Sequence, residues 1–216
     1  MALDPDTLET LIETVAKFVD ERLIPLEAQV AAEDKIPDTV ISEMAELGLF
    51  GLTIPVEYGG LGLNTEEECR IVMELGRAAP AFRSVIGTNN GIGSQGLVLH
   101  GTAAQRQHYL PKLASGEITG SFALTEPDAG SDSAAISLKA VADANDFLLS
   151  GTKRYITNAT RAQLFTVFAR TDPDERGSRG ISAILVDTST PGISLGSPNK
   201  KICLLYTSDA ADDSLR

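Results

Sequence analysis

The sequence predicts an α+β chain in which an all-α half precedes a β half, and three observations predict it. Apolar residues up to about position 115 recur at helical spacing between recognisable caps and stops. After Gly116 the period shortens to two, as in Ile136, Leu138, Ala140 and Ala142. Turn residues, Asp143-Ala144-Asn145-Asp146 foremost, then separate short apolar runs.

Taken in order, Leu8, Leu11, Ile12, Val15, Phe18 and Val19 define a first helix, with Asp4 or Asp6 as its N-cap. Pro25 is expected to break it, and Leu26 to Ala32 to form a short second helix. Pro37 suits the opening of a third, whose stripe is Val40, Ile41, Met44 and Leu47 and whose stop is Gly48. Residues 49–64, rich in glycine and holding Pro55, read as a long ordered loop. Thr65 to Glu68 fits a capping box ahead of Ile71, Val72 and Leu75. Ala81 to His100 is read as one helix despite its four glycines. Gly101 ends it, and Thr102 with Gln105 caps another that ends near Leu113. In the second half, Ile136 to Ala142 and Phe147 to Ser150 read as a hairpin, and Leu164–Ala169 and Ile181–Val186 as further strands.

Composition narrows the function. The formal charge of −12 opposes binding to nucleic acid or to an anionic membrane surface. No apolar run approaches the ~20 residues of a membrane span. The first eleven residues carry Asp4, Asp6 and Glu9 and no basic residue, so they do not read as a signal peptide. Cys69 and Cys203 make neither a disulfide framework nor a metal site, which fits a reducing, cytoplasmic setting. His100 and His108 lack a ligand pattern and read as surface residues; Glu66 to Glu68 reads as a solvated helix start.

The residues that carry chemistry lie between Gly120 and Asn158. Phe122-Ala123-Leu124 is an apolar run of strand character that breaks into a loop at Thr125-Glu126-Pro127-Asp128-Ala129-Gly130-Ser131-Asp132. Gly130 lets a ligand approach the backbone, and Thr125 and Ser131 supply hydroxyls. Further on, Tyr155-Ile156-Thr157 offers an aromatic face with a hydroxyl two residues later, which a regular strand would place on one side. An aromatic face beside hydroxyls suits a planar heterocycle with polar edges.

These stretches resemble the acyl-CoA dehydrogenase family of flavoenzymes. Phe122 to Asp132 is similar to its flavin loop and Tyr155 to Asn158 to its second flavin segment. Two more stretches agree: Gly48–Leu52 through Tyr58–Gly62, and Tyr109–Pro111 through Ser115–Glu117. Asp128 stands where many members have glycine, and Tyr155 where tryptophan is common. The resemblance implies a helical amino-terminal domain over 1–116 and a β-barrel middle domain over 117–202, left incomplete. The family's carboxy-terminal helical domain, which holds the catalytic glutamate, would be absent. No catalytic residue is therefore assigned, and no metal site. The implied cofactor is FAD, held by Phe122, Ala123, Leu124, Thr125, Gly130, Ser131, Tyr155, Ile156 and Thr157, with Ser131 also touching substrate.

The implied reaction is α,β-dehydrogenation of an acyl-CoA thioester, with hydride passing to flavin N5 and an electron-transfer flavoprotein as acceptor. The parent is expected to be a homo-oligomer and this chain inactive. An acyl-CoA oxidase or flavin monooxygenase of the same architecture, or a non-catalytic binding module, stands as the alternative. From Cys203 onward the resemblance stops. Cys203 to Asp212 reads like an in-frame translation of a sequencing-library adapter, so residues 203–216 are expected to be a non-native tail packing against nothing.

Overall fold

The computed structural model describes residues 3–144 and 146–199, and the backbone of Thr207–Ala210. The chain divides between Ile118 and Thr119 into a helical unit and a sheet unit.

The helical unit opens with α1, Pro5–Phe18, whose N-cap is Asp4; the Thr7 N–H donates to its carboxylate at 3.0 Å. Pro25 does not break the helix as expected. Residues Val19–Leu23 form a π-helical turn, in which the Ile24 N–H donates to the Val19 carbonyl, and α2 follows directly as Ile24–Glu33. Proline lacks an N–H and its ring crowds the carbonyl four residues back, and a widened turn accommodates both without ending the helix. Asp34 then stops α2 in the left-handed conformation, φ 54°.

Helix α3, Asp38–Glu46, follows Pro37 and ends before Gly48, φ 73°. The loop from Leu49 to Leu63 is ordered by its own backbone: Leu61 donates to Gly51, Gly62 to Ile54 and Leu63 to Leu52, at 2.8–2.9 Å. A Cβ on Gly60 would lie 2.0 Å from the Ile54 carbonyl oxygen, so the loop closes only with glycine there.

The capping box of α4, Thr65–Leu75, sits one residue earlier than expected, on Asn64 and Glu67. Asparagine accepts two N–H groups at once, from Glu66 and Glu67, which Thr65 could not do from inside the helix. The single helix expected over 81–100 is two: α5, Pro80–Asn90, and α6, Gln95–His100, parted by a turn at Gly91, φ −126°. Helix α7, Ala103–Ser115, starts on the Thr102–Gln105 capping box as expected. Phe50, Phe82, Leu75, Met44 and Leu23 lie in the unit's core.

The sheet unit contains β1 (Gly120–Ala123), β2 (Lys139–Asp143), β3 (Asp146–Ser150), β4 (Lys153–Thr157), β5 (Leu164–Arg170), β6 (Ile181–Asp187), β7 (Pro198–Asn199) and β8 (Thr207–Ala210). One sheet runs β1-β5-β2-β3, with β6 also paired to β5; a second runs β4-β8-β7. β1 and β5 are parallel, Gly120 facing Leu164, while the β2–β3 hairpin is antiparallel with Val141 opposite Leu148. Neither sheet closes into a barrel among the described residues.

The expectation that residues 203–216 pack against nothing is corrected for four of them. The backbone of β8 pairs antiparallel with β4, Ile156 opposite Ser208 and Thr157 opposite Thr207. The unpaired edge of β4 offers a row of N–H and C=O groups that an extended segment satisfies. The rest of that segment lies outside the described residues.

Candidate functional site

The residues singled out by sequence lie at the end of β1, in the loop after it, and along β4. Ala123 is buried, and Phe122 and Leu124 are half-buried. The Phe122 ring packs against Phe168 of β5, centroids 4.7 Å apart. The loop turns at Pro127-Asp128, where Glu126 and Ala129 exchange backbone hydrogen bonds of 2.9 and 3.3 Å. Asp128 keeps a negative φ, so aspartate in place of the family's glycine imposes no left-handed strain. Gly130 and Ser131 are exposed, and a Cβ on Gly130 would meet nothing within 4 Å. Nothing among the described residues requires glycine at that point.

On β4 a regular alternation fails. Lys153 and Ile156, three apart, are both buried, and the pairing register shifts between them. Tyr155 occupies the extra position in the left-handed conformation, φ 59°, and Asn158 follows at 62°. The expectation that Tyr155 and Thr157 sit on one face of a regular strand therefore gives way to a bulge, which turns the tyrosine outward. Its side chain is 51% exposed, with the Arg154 guanidinium 5.0 Å from the ring centre. Positive φ at a bulky aromatic residue is costly, and such strain concentrates where a segment is shaped for a ligand.

The two segments are brought together without a ladder between them. The Arg154 N–H donates to the Thr125 carbonyl at 2.8 Å, and the fully buried Ser121 hydroxyl donates to the Thr157 carbonyl at 2.7 Å. Beyond the first of these bonds, at the opposite end from Ser121, lies an ion pair that sequence reasoning missed. Lys153 Nζ donates to Glu126 Oε1 and to the Leu124 carbonyl, both at 2.9 Å, and both charged side chains are only 4% exposed. The same carboxylate accepts from the Ser137 N–H and hydroxyl, at 2.6 and 2.9 Å, and from the Leu138 N–H, at 2.9 Å. Burial opposes ionisation of Glu126, yet the hydrogen bonds from Lys153, Ser137 and Leu138 outweigh it and hold the carboxyl below its ordinary value. At Lys153 burial is the stronger influence and lowers the ammonium's pKa despite Glu126. No local signal in the sequence marks the pair, because its two members are 27 residues apart and meet only once the loop lies against β4.

The donor set fits a flat polyfunctional ring. Among the described residues the hydroxyls of Thr125, Ser131 and Thr157 engage no partner; the bonds described above bring Thr125 to β4, which also carries the exposed Tyr155, while no bond joins Ser131 to that strand. No cluster of three or more metal-ligating side chains occurs among the described residues. No helix among them is long and apolar enough to cross a membrane.

Comparison with known proteins bears on the same segments. The chain matches the family model of the acyl-CoA dehydrogenase N-terminal domain over residues 5–117 and of the acyl-CoA dehydrogenase middle domain over 121–207. It is 38% identical to an acryloyl-CoA reductase (NADH) of Anaerotignum propionicum, over 90% of this chain and 49% of that protein. It is 36% identical to the mitochondrial short-chain specific acyl-CoA dehydrogenase of Bos taurus, over 95% of this chain and 50% of that one. Among solved structures it resembles a glutaryl-CoA dehydrogenase from Mycobacterium smegmatis in complex with FADH2. There the TM-score is 0.82 at 34% identity, covering 98% of this chain and 52% of that one. The chain thus spans about half the length of the curated relatives it matches.

Proposed function

This chain belongs to the acyl-CoA dehydrogenase family, and from that premise we propose that it is the flavin-cradling portion of an FAD-dependent enzyme acting on acyl-CoA thioesters. The observation that carries the proposal is the join of the 125–131 loop to β4, with the open hydroxyls of Thr125, Ser131 and Thr157 and the outturned Tyr155 around it. FAD bound there supplies the hydride acceptor for α,β-dehydrogenation. Thr125 and Thr157 would hold the polar edge of the flavin by hydrogen bonds from their hydroxyls, where donors favour the charge that reduction develops. Tyr155 would offer its exposed ring to the flavin's face, Gly130 would let the backbone approach it, and Phe122, Ala123, Leu124 and Ile156 would shape its surroundings. Ser131 serves cofactor and acyl-CoA alike.

Proton abstraction needs an oriented carboxylate, and we assign that role to none of the residues around the 125–131 loop and β4. Electrons leave to an electron-transfer flavoprotein. The relative named as an NADH-dependent acryloyl-CoA reductase supports a second reading, the same bond chemistry run toward saturation.

Three hydroxyl hydrogen bonds at about 0.5–1.5 kcal/mol each supply at most about 4.5 kcal/mol, roughly two thousandfold in affinity. That does not offset the cost of ordering a molecule as large as FAD. The test is flavin absorbance after gel filtration of this chain and of a version extended with the carboxy-terminal domain of its gene. This chain retains little FAD and the extended one retains it stoichiometrically, with Thr157→Ala reducing retention. An extended protein that elutes colourless overturns the proposal.

A further inference from the structure

The segments carrying Thr125 and Thr157 belong to strands that share no ladder: β1 pairs with β5, and β4 with β8. Something other than strand pairing must fix the distance between them. Ser121 and the Thr157 carbonyl meet at one end. At the other, a single ammonium takes the residues on either side of Thr125: Lys153 Nζ donates to the Leu124 carbonyl and to the Glu126 carboxylate. The neighbouring Arg154 N–H takes Thr125's own carbonyl. Glu126 meanwhile ties the loop to the start of β2 through Ser137 and Leu138.

From this juxtaposition we infer that Glu126 and Lys153 are positioning residues of the cofactor site, clasping Thr125 against β4 so that its hydroxyl and that of Thr157 address one edge of a ligand. The role rests on the flavin reading for its purpose but not for its geometry. A buried ion pair is weak evidence for stability, because well-packed neutral side chains often replace one at no loss. Here the pair does what a neutral substitute cannot. Its ammonium reaches two acceptors that bracket one residue, and a methionine in its place would take the donor from the Leu124 carbonyl and leave the Arg154 N–H as the bond from β4 to Thr125.

The test separates holding from folding. Glu126→Gln, Lys153→Met and the double variant are prepared in this chain and in the version extended with the carboxy-terminal domain. In this chain, hydrogen exchange is read at the Arg154 amide, which reports the bond to Thr125, and at the Val167 amide of β5 as a control. The single variants, which bury an uncompensated group, melt early. The double variant recovers the wild-type melt, yet its Arg154 amide exchanges about tenfold faster or more while Val167 is unchanged. In the extended protein, FAD titration followed by flavin fluorescence shows about tenfold weaker binding for the double variant and a shifted flavin absorbance envelope.

Wild-type protection at Arg154 in a double variant of recovered stability overturns the inference, and so does loss of Arg154 and Val167 protection in parallel. If the extended wild type binds no FAD, the flavin reading fails while the exchange comparison still decides whether the clasp holds Thr125.

Discussion

Alanine supplies two of the nineteen buried residues in the helical unit's core cluster, Ala78 and Ala81, but five of the eleven in the sheet unit's. Leucine, phenylalanine, methionine and β-branched residues fill the first, and each buries several times the apolar area that an alanine buries. Its charges stay outside: the Arg22–Glu43, Arg70–Glu9 and Lys17–Glu21 pairs are all solvent-exposed to a third or more. The sheet unit, with less apolar area to bury, carries its strongest polar contact inside, at Glu126 and Lys153. One unit is held mainly by shape, the other by shape plus a satisfied pair of charges. The second arrangement ties the 125–131 loop to β4 through a buried polar contact rather than through packed side chains.

The largest effect should come from striking each unit at its own kind of support. Lys153→Met leaves a buried carboxylate without its counter-charge and is expected to cost about 3–5 kcal/mol. Phe82→Ala removes a fully buried ring from the helical core at a similar cost, about 3–5 kcal/mol. Denaturant titration followed by residue-resolved exchange should show the first loss among β-strand amides and the second among helix amides. A uniform loss across both units for either variant would erase the distinction.

Acid should divide the units next. Glu126's folded pKa lies below its unfolded one, so its contribution is complete above the ordinary carboxylate range, about pH 4–5, and is lost as pH falls through the lowered folded value. Glu43 is shifted the same way by Arg22, but that pair is exposed and screened. Strand amides are therefore expected to lose protection at higher pH than helix amides. Glu126→Gln should flatten the acid limb of the sheet unit alone; an unchanged limb would remove the ion pair from the comparison.

The smallest effect concerns backbone strain. Tyr155→Gly replaces an aromatic residue at φ 59° and should raise the sheet unit's stability by about 1 kcal/mol while weakening flavin retention in the extended protein. Asp34→Gly, at φ 54° in the helical unit, should gain less, because aspartate tolerates that region. A destabilised Tyr155→Gly would show that the ring packs more than it strains.

Legibility in the sequence followed the range of the interaction. The Thr102–Gln105 box, the Gly48 stop and the switch of period after Gly116 are local, and each is written within a few residues. The π turn at Val19–Leu23 was not legible, because Pro25 is equally consistent with a break; only packing of Val19 and Leu23 into one core decides for continuity. The break between α5 and α6 was hidden by apolar residues that keep helical spacing across it. In the site, the loop and the Tyr155–Asn158 segment could be found by their residues. Neither the bulge at Tyr155 nor the Glu126–Lys153 pair could be, since both depend on which strands lie side by side.

The parallel pairing of β1 with β5 sets an order in time. Gly120 faces Leu164, so no partner for β1 exists until the chain has been made some forty residues beyond it. By then every residue of α1 through α7 has been synthesised, and amino-terminal domains fold as units while synthesis proceeds. Ser121 and Thr157, and Glu126 and Lys153, meet across similar spans of chain. The segments proposed to hold the cofactor are thus a late product of the ribosome, joined only after every residue of the helical unit has been made.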